Sequence, residues 1–310
     1  MDEDVTGEDV TGKDAAAADL PVREDRVDVA GDGDATASLE LFIASEQSTP
    51  EVATAGAPTI CAAHPAEAYT AESAHLLSRL AGTPVVCVNS RGLGGSSGEL
   101  GSMASMARDL DRVRRHLGLE RWCLWGISGG GWLAQLYARH FRDATRGMIL
   151  ESACACYRQR AADPDCLMSP ANPAWRTALE DQGIHAEPPK TGPVPEGSTW
   201  RTVEGVGHVL VSGEAALLVL PEGMPATPLV QRAHRRFLDF DARPWLAELD
   251  VPTLTLGSTE DPVAPFAYVR SLHAGLPSST LLTLEGASHV PTLQGVKRAR
   301  QAVREFVAGL

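Results

Sequence analysis

The chain of 310 residues predicts an α/β fold with one mostly parallel sheet, and three features of the sequence carry that expectation. From Ala57 onward, short apolar runs alternate with amphipathic segments of helical period, the signature of strands covered by helices on both faces. An apolar run, Trp122 to Ile127, passes through the glycine-rich Gly126-Ile127-Ser128-Gly129-Gly130 straight into a helix-like segment. Finally, the alternation lapses for about ninety residues after Glu151 and resumes near Thr253, so a long insertion divides the sheet-forming halves.

In order, two strands over Arg26 to Val29 and Ser38 to Ala44 flank the turn-forming Gly31-Asp32-Gly33-Asp34 and predict a hairpin. The alternating series follows: strand Thr59 to Ala63, helix Ala71 to Leu80, strand Pro84 to Val88, helix Met103 to Leu117, strand Trp122 to Ile127, helix Gly130 to His140 and strand Gly147 to Glu151. In the second helix Met103, Met106, Leu110, Val113 and Leu117 recur at helical spacing, with Ser102 as cap and Gly118 as stop. After the insertion come strand Thr253 to Leu256, helix Ala264 to Leu276, strand Ser279 to Leu284 and a closing helix, Leu293 to Val307. These make eight strands, with the insertion after the sixth.

Residues 157 to 248 hold 11 of the 21 prolines, Pro188 and Pro189 among them, so much of the insertion is barred from regular helix. Thr227-Pro228 starts a helix through Phe237, with threonine as cap and proline at the first position. Val209 to Leu220 fits a hairpin or a strand followed by a helix. An insertion leaving the carboxyl end of a strand naturally roofs a site there, so residues 157–245 are expected to form a cap over core segments 23–156 and 246–310.

The net charge of −13 is concentrated at one end, since residues 1 to 34 hold twelve acidic and three basic side chains. Residues 1–22 repeat Asp-Val-Thr-Gly, lack apolar periodicity and read as a disordered acidic tail. No basic cluster with interleaved aromatics points to nucleic acid. No signal-like region opens the chain and no apolar run approaches membrane-spanning length, so a cytoplasmic protein with no membrane partner is expected. Cys61, Cys87 and Cys123 fall in strands as small buried hydrophobes, while Cys154, Cys156 and Cys166 cluster without a fourth ligand, so no metal is expected.

The turn at Ser128 carries the chemistry. A serine between strand and helix is forced into a strained conformation that needs small neighbours two residues before and after, here Gly126 and Gly130. The turn lifts the hydroxyl into a cleft and leaves the Gly129 amide at a helix N-terminus, where an oxyanion can bind. An acid and a histidine follow in the order Ser, Asp, His, each after a later strand.

With His64-Pro65, Asn89-Ser90-Arg91-Gly92-Leu93-Gly94, Asp261-Pro262-Val263-Ala264-Pro265 and Gly286-Ala287-Ser288-His289, the chain from about residue 26 to 310 resembles the α/β-hydrolase superfamily. The resemblance is to its capped members, which include esterases, lactonases and proline iminopeptidases. It implies Ser128 as nucleophile, His289 as base and Asp261 as the acid that orients the histidine. Two other acids compete: Glu260 stands three residues after Gly257, where the family usually has its acid, and Glu151 ends a strand where some relatives carry it. In relatives the second oxyanion donor follows a His-Gly; here His64 is followed by Pro65, which has no amide hydrogen, leaving the Ala66 amide beside that of Gly129. His64 itself reads as a brace for that loop, and Asn89 and Arg91 as shaping the next. Trp175 and Trp200, in the insertion, are candidates to stack on substrate.

A serine nucleophile implies acyl transfer without a cofactor: hydrolysis of a small to medium, partly apolar carboxylic ester, lactone or thioester. The runner-up is an aminopeptidase of the proline iminopeptidase type, with Glu204 or Glu214 gripping a substrate amine, although the glycine-rich His-Gly-Gly-Pro-Gly loop of those enzymes is absent. A non-hydrolytic acyltransferase, cyclase or binding protein is the third reading, and Pro65 is the feature that favours it.

Overall fold

The computed structural model describes residues 21–30, 36–45, 58–186 and 193–310. The acidic tail up to residue 20, the turn at Gly31 to Asp34 and Pro188-Pro189 lie outside the described residues. Strands β1 (Val22–Val29) and β2 (Ala37–Ala44) pair antiparallel, as the hairpin reading expects. Then come β3 (Ile60–His64), α1 (Ala71–Ala81), β4 (Val85–Asn89), α2 (Met103–His116), β5 (Trp122–Ile127), α3 (Gly130–His140) and β6 (Thr145–Glu151). Ser102 caps α2 by accepting from the Ser105 amide.

Between β6 and the return to the sheet, the chain builds α4 (Tyr157–Ala161), α5 (Arg176–Glu180), β7 (His185–Ala186), β8 (Thr199–Val203), β9 (Gly207–Ser212), β10 (Ala215–Pro221) and α6 (Pro228–Phe237). It then closes with β11 (Thr253–Ser258), α7 (Phe266–Gly275), β12 (Ser279–Leu284) and α8 (Lys297–Ala308). The main sheet has eight strands in the order β1-β2-β4-β3-β5-β6-β11-β12, and every pair from β4 to β12 is parallel.

Because both faces are covered, the central strands carry apolar residues at successive positions. In β4, Val86 and Val88 pack with Met106, Leu110 and Val113 of α2 and Leu133 and Tyr137 of α3. Val85 and Cys87 instead join Leu77 and Leu80 of α1 and Val303 and Val307 of α8. The strand order reverses at β3, whose neighbours β4 and β5 lie on opposite sides, and such a reversal opens a crevice at the carboxyl ends. His64 ends β3 and Ser128 follows β5 at that crevice.

The insertion is organised around a second sheet, β7-β10-β9-β8. Val209 to Leu220 therefore forms a hairpin, with Val209 opposite Val219 and Gly213 at φ +63° in the turn. One face of this sheet, with Val209, Val211 and Val219, packs on Leu179, Ile184 and Val203, while Leu210, Leu218 and Leu220 join the main core. Thr227 caps α6 as its sequence predicts, accepting from the Val230 amide at 3.3 Å.

Two helices start later than periodicity alone predicts. The segment before α7 is a turn in which Asp261 accepts from the Val263 and Ala264 amides, both at 2.8 Å, so helix begins only after Pro265. Before α8, Gly295 takes φ +84° and leaves Leu293 in a loop, 44% exposed.

Candidate active site

Ser128 sits at φ +49°, a left-handed backbone conformation that costs a non-glycine residue about 1–3 kcal/mol and persists only where its surroundings hold it. Here the Ser128 amide is tied to the Glu151 carbonyl at 2.8 Å, and the Ser128 carbonyl accepts from Gly131 at 3.0 Å. Neighbouring backbone presses so closely that a Cβ on Gly126 would lie 2.5 Å from the Gly131 Cα, and one on Gly130 would lie 2.7 Å from the Ala63 carbonyl oxygen. The glycine spacing is thus a packing requirement of the turn.

Ser128 Oγ lies 2.9 Å from His289 Nε2, and His289 Nδ1 lies 2.8 Å and 3.0 Å from the two Asp261 oxygens. Burial raises the Asp261 pKa, but the hydrogen bond and charge of His289 and the Ala264 and Val263 amides outweigh it and hold the carboxyl below its ordinary range. An ionised carboxylate only accepts, so the His289 proton resides on Nδ1 and Nε2 presents a lone pair to the serine hydroxyl. The loop bearing His289 is anchored independently: the Ser152 hydroxyl donates to the His289 carbonyl, and the Ser258 hydroxyl to that of Ala287.

These groups open on a cavity of about 430 Å³. Its core side contributes His64, Glu67, Tyr69, Ser128, Gly129 and Trp132, and its insertion side Arg160, Met168, Met224, His234 and Phe237. His234 donates to or accepts from the Tyr157 hydroxyl through Nδ1 at 2.9 Å. Burial, the largest cause, with the nearby Arg160 charge pushes its pKa down to about 3, so it is neutral at physiological pH.

A family model described as α/β hydrolase fold matches residues 65–185, which include Ser128, and one described as TAP-like protein matches 240–309, which include Asp261 and His289. Among solved structures, an α/β-fold family hydrolase from Bacillus anthracis superposes with a TM-score of 0.64 at 18% identity, covering 91% of this chain and 99% of that one. A thermophilic esterase from Thermogutta terrifontis gives 0.57 at 18% identity, covering 92% and 98%. These superpositions give the chain the α/β-hydrolase fold. Among curated relatives, 3-oxoadipate enol-lactonase 2 of Acinetobacter baylyi is 25% identical over 236 residues, 71% of this chain and 76% of that protein. A Streptomyces coelicolor protein named "Probable proline iminopeptidase" is 40% identical over 47 residues, 15% of each chain.

Several expectations for the site meet a different arrangement. The Ala66 amide, expected as an oxyanion donor, donates to His64 Nδ1 at 3.2 Å, and Ala66 does not line the cavity. The His64 ring lies instead over the elbow, where a Cβ on Gly129 would fall 2.6 Å from its Nε2. Trp175 and Trp200 also stand apart from the cavity. Trp175 packs on the small core of the insertion with its indole N–H donating to the Leu167 carbonyl at 2.9 Å, and Trp200 lies on β8, an edge strand of the second sheet. The aromatic rings that line the cavity are Tyr69, Trp132 and Phe237. For Trp132 and Phe237, helical spacing with core residues hides that role, because a ring facing a cavity and a ring facing the core obey the same period.

The rival acids take other positions. Glu260 is exposed. Glu151 is fully buried and accepts from the Thr292 amide and hydroxyl and from the Trp125 indole, at 2.8 to 3.2 Å. Burial raises its pKa against the opposing effect of those hydrogen bonds. Asn89 bonds Tyr69 and Glu40, and Arg91 pairs with Asp109, so both shape loops. The six cysteines are free and buried, and burial raises the pKa of each thiol. Among the described residues no helix is long and apolar enough to cross a membrane, and no group of three potential metal ligands occurs.

Proposed function

We propose that the protein is a serine hydrolase that cleaves a small to medium carboxylic ester, lactone or thioester through an acyl-enzyme on Ser128. The observation that carries this reading is the hydrogen-bonded chain from Ser128 through His289 to Asp261 at 2.9 Å and 2.8 Å, open to a cavity lined largely by apolar side chains. His289 Nε2 takes the hydroxyl proton as Ser128 Oγ attacks the carbonyl carbon, and the imidazolium gives that proton to the leaving oxygen or sulfur. Water then attacks the acyl-enzyme by the same proton relay, releasing the acid and restoring Ser128. The lactonase name of the Acinetobacter relative fits this substrate class. Six unpaired thiols fit a reducing, cytoplasmic setting.

An aminopeptidase of this fold would need acids in the roof to hold the substrate amine. Glu204 and Glu214 are exposed and outside the cavity, and the charged group that the insertion contributes to the lining is Arg160, which would repel an ammonium. The insertion, on this reading, is the cap.

The oxyanion needs two donors, and the Gly129 amide supplies one. His64 supplies the other: its Nδ1 accepts from Ala66, which fixes the proton on Nε2, and burial lowers its pKa and keeps the ring neutral. Gly129→Ala tests this. At φ −60° and ψ −29° alanine suits the backbone and retains the amide, but its methyl displaces the His64 ring. The variant should fold normally and lose about 10²-fold in kcat with little change in KM. An unchanged kcat would remove His64 from the reaction.

The reading as a whole is tested with a fluorophosphonate probe on the wild type and Ser128→Ala, locating the adduct by mass spectrometry. Labelling at Ser128, lost in the variant, is expected. A folded wild-type protein that takes no label would sink the hydrolase assignment.

A further inference from the structure

The cavity contains a charge that catalysis does not use. Arg160 projects from α4 and is 1% exposed, yet its Nε and Nη1 are buried with no hydrogen-bond partner. Its remaining nitrogen, Nη2, meets the Met168 sulfur at 3.6 Å, and the guanidinium also interacts with the Tyr157 hydroxyl. The guanidinium is held by its faces, 5.3 Å from the Trp132 ring centroid and 4.8 Å from that of Tyr157. Cation–π contact of this kind favours the charge but leaves the N–H edges unsatisfied. Among the described residues no carboxylate pairs with it; the nearby Asp261 is occupied by His289 and two backbone amides. A buried cation with open edges disfavours the folded chain, whereas a methionine of similar volume would carry no such penalty. The side chain lines the same cavity as Ser128.

We infer that Arg160 binds a carboxylate on the substrate, so that the molecule cleaved at Ser128 is a carboxylated ester, lactone or thioester; this rests on the hydrolase reading above. A carboxylate taking either edge of the guanidinium would satisfy an orphaned nitrogen and displace a thioether, a weak acceptor on a flexible side chain. One guanidinium without a second cation suits a singly charged group better than a phosphate, since neighbouring His234 is neutral. The aliphatic and aromatic remainder of the lining then holds the carbon chain between carboxylate and scissile carbonyl.

The test compares the mono-p-nitrophenyl esters of succinic, glutaric and adipic acids with p-nitrophenyl esters of unbranched monocarboxylic acids of matching length. In the wild type the best charged ester should exceed its neutral partner about tenfold or more in kcat/KM. Arg160→Met should abolish or invert that preference while keeping activity on neutral esters, and Arg160→Lys should retain part of it. Independently of turnover, free glutarate or adipate should raise the melting temperature of the wild type and leave that of Arg160→Met unchanged. Equal charged-to-neutral ratios in wild type and Arg160→Met, with no thermal shift, would overturn the carboxylate site and leave hydrolysis standing. An Arg160-dependent thermal shift without turnover or labelling would support the site and sink the hydrolase reading.

Discussion

Ser128→Ala and His289→Ala should each lower the kcat of ester hydrolysis by about 10⁶-fold, and the double variant should be no slower than either single one. The serine is a weak nucleophile unless its proton leaves as it attacks, and the imidazole has no proton to take without the serine. With Oγ and Nε2 only 2.9 Å apart, the two act as one device, so removing either removes the whole contribution. A residual rate of about 10³ to 10⁴ over water should survive, supplied by the oxyanion donors and by binding. Turnover of a p-nitrophenyl ester, with circular dichroism to verify folding, provides the measurement. Independent, additive losses, or a Ser128→Ala rate within tenfold of the wild type, would show that no acyl-enzyme forms there.

The acid can be separated from its rivals just as sharply. Asp261→Asn should cut kcat by about 10⁴-fold, whereas Glu260→Gln should leave it within about twofold. An asparagine can turn its amide N–H toward Nδ1, which moves the imidazole proton to Nε2 and leaves no lone pair facing the serine. Glu260 is exposed and has no bond to the histidine, so its loss has no such route to the reaction. Acid stability offers a second readout on the same residue. Burial pushes the Asp261 pKa up, but its hydrogen bonds and the His289 charge bring it below the ordinary value, so the folded chain binds fewer protons here than the unfolded one. That contribution is present above the unfolded carboxylate pKa of about 4 and is lost as pH falls through the lower folded value. Below about pH 4 the wild-type melting temperature should therefore fall more steeply than that of Asp261→Asn, and parallel curves would contradict the shift.

What the sequence discloses is what local rules dictate. The strands and helices of the main sheet follow from apolar period, and the elbow at Ser128 follows from glycines whose necessity lies within a few residues of chain. Asp261 and His289 are named through the resemblance, and the fold brings both into hydrogen-bond distance of one another, with His289 beside Ser128. Side chains whose role depends on distant packing are not legible in this way. Trp175 and Trp200 look like Trp132 and Phe237 on paper, and only the fold of the insertion decides which rings face the cavity. Arg160 lies in the polar stretch Tyr157-Arg158-Gln159-Arg160, which reads as a solvated helix face. The usable signal was its spacing: Tyr157 and Arg160 are three apart and share the face that turns inward, while Arg158 on another face reaches Asp239. The Ala66 amide is a backbone matter of a few tens of degrees, beyond the reach of residue type.

Glu151 joins parts of the molecule that chain order keeps apart. Its carbonyl holds the Ser128 amide, and its carboxyl holds Thr292, three residues beyond His289, together with the indole of Trp125. His289 can therefore not swing away from Ser128 by a small hinge of its loop, since any such excursion strands a carboxyl in the apolar interior. Ser128 and His289 are fastened to one rivet, and their mutual geometry is cooperative with the sheet itself: it persists until the strands part, and is lost with them.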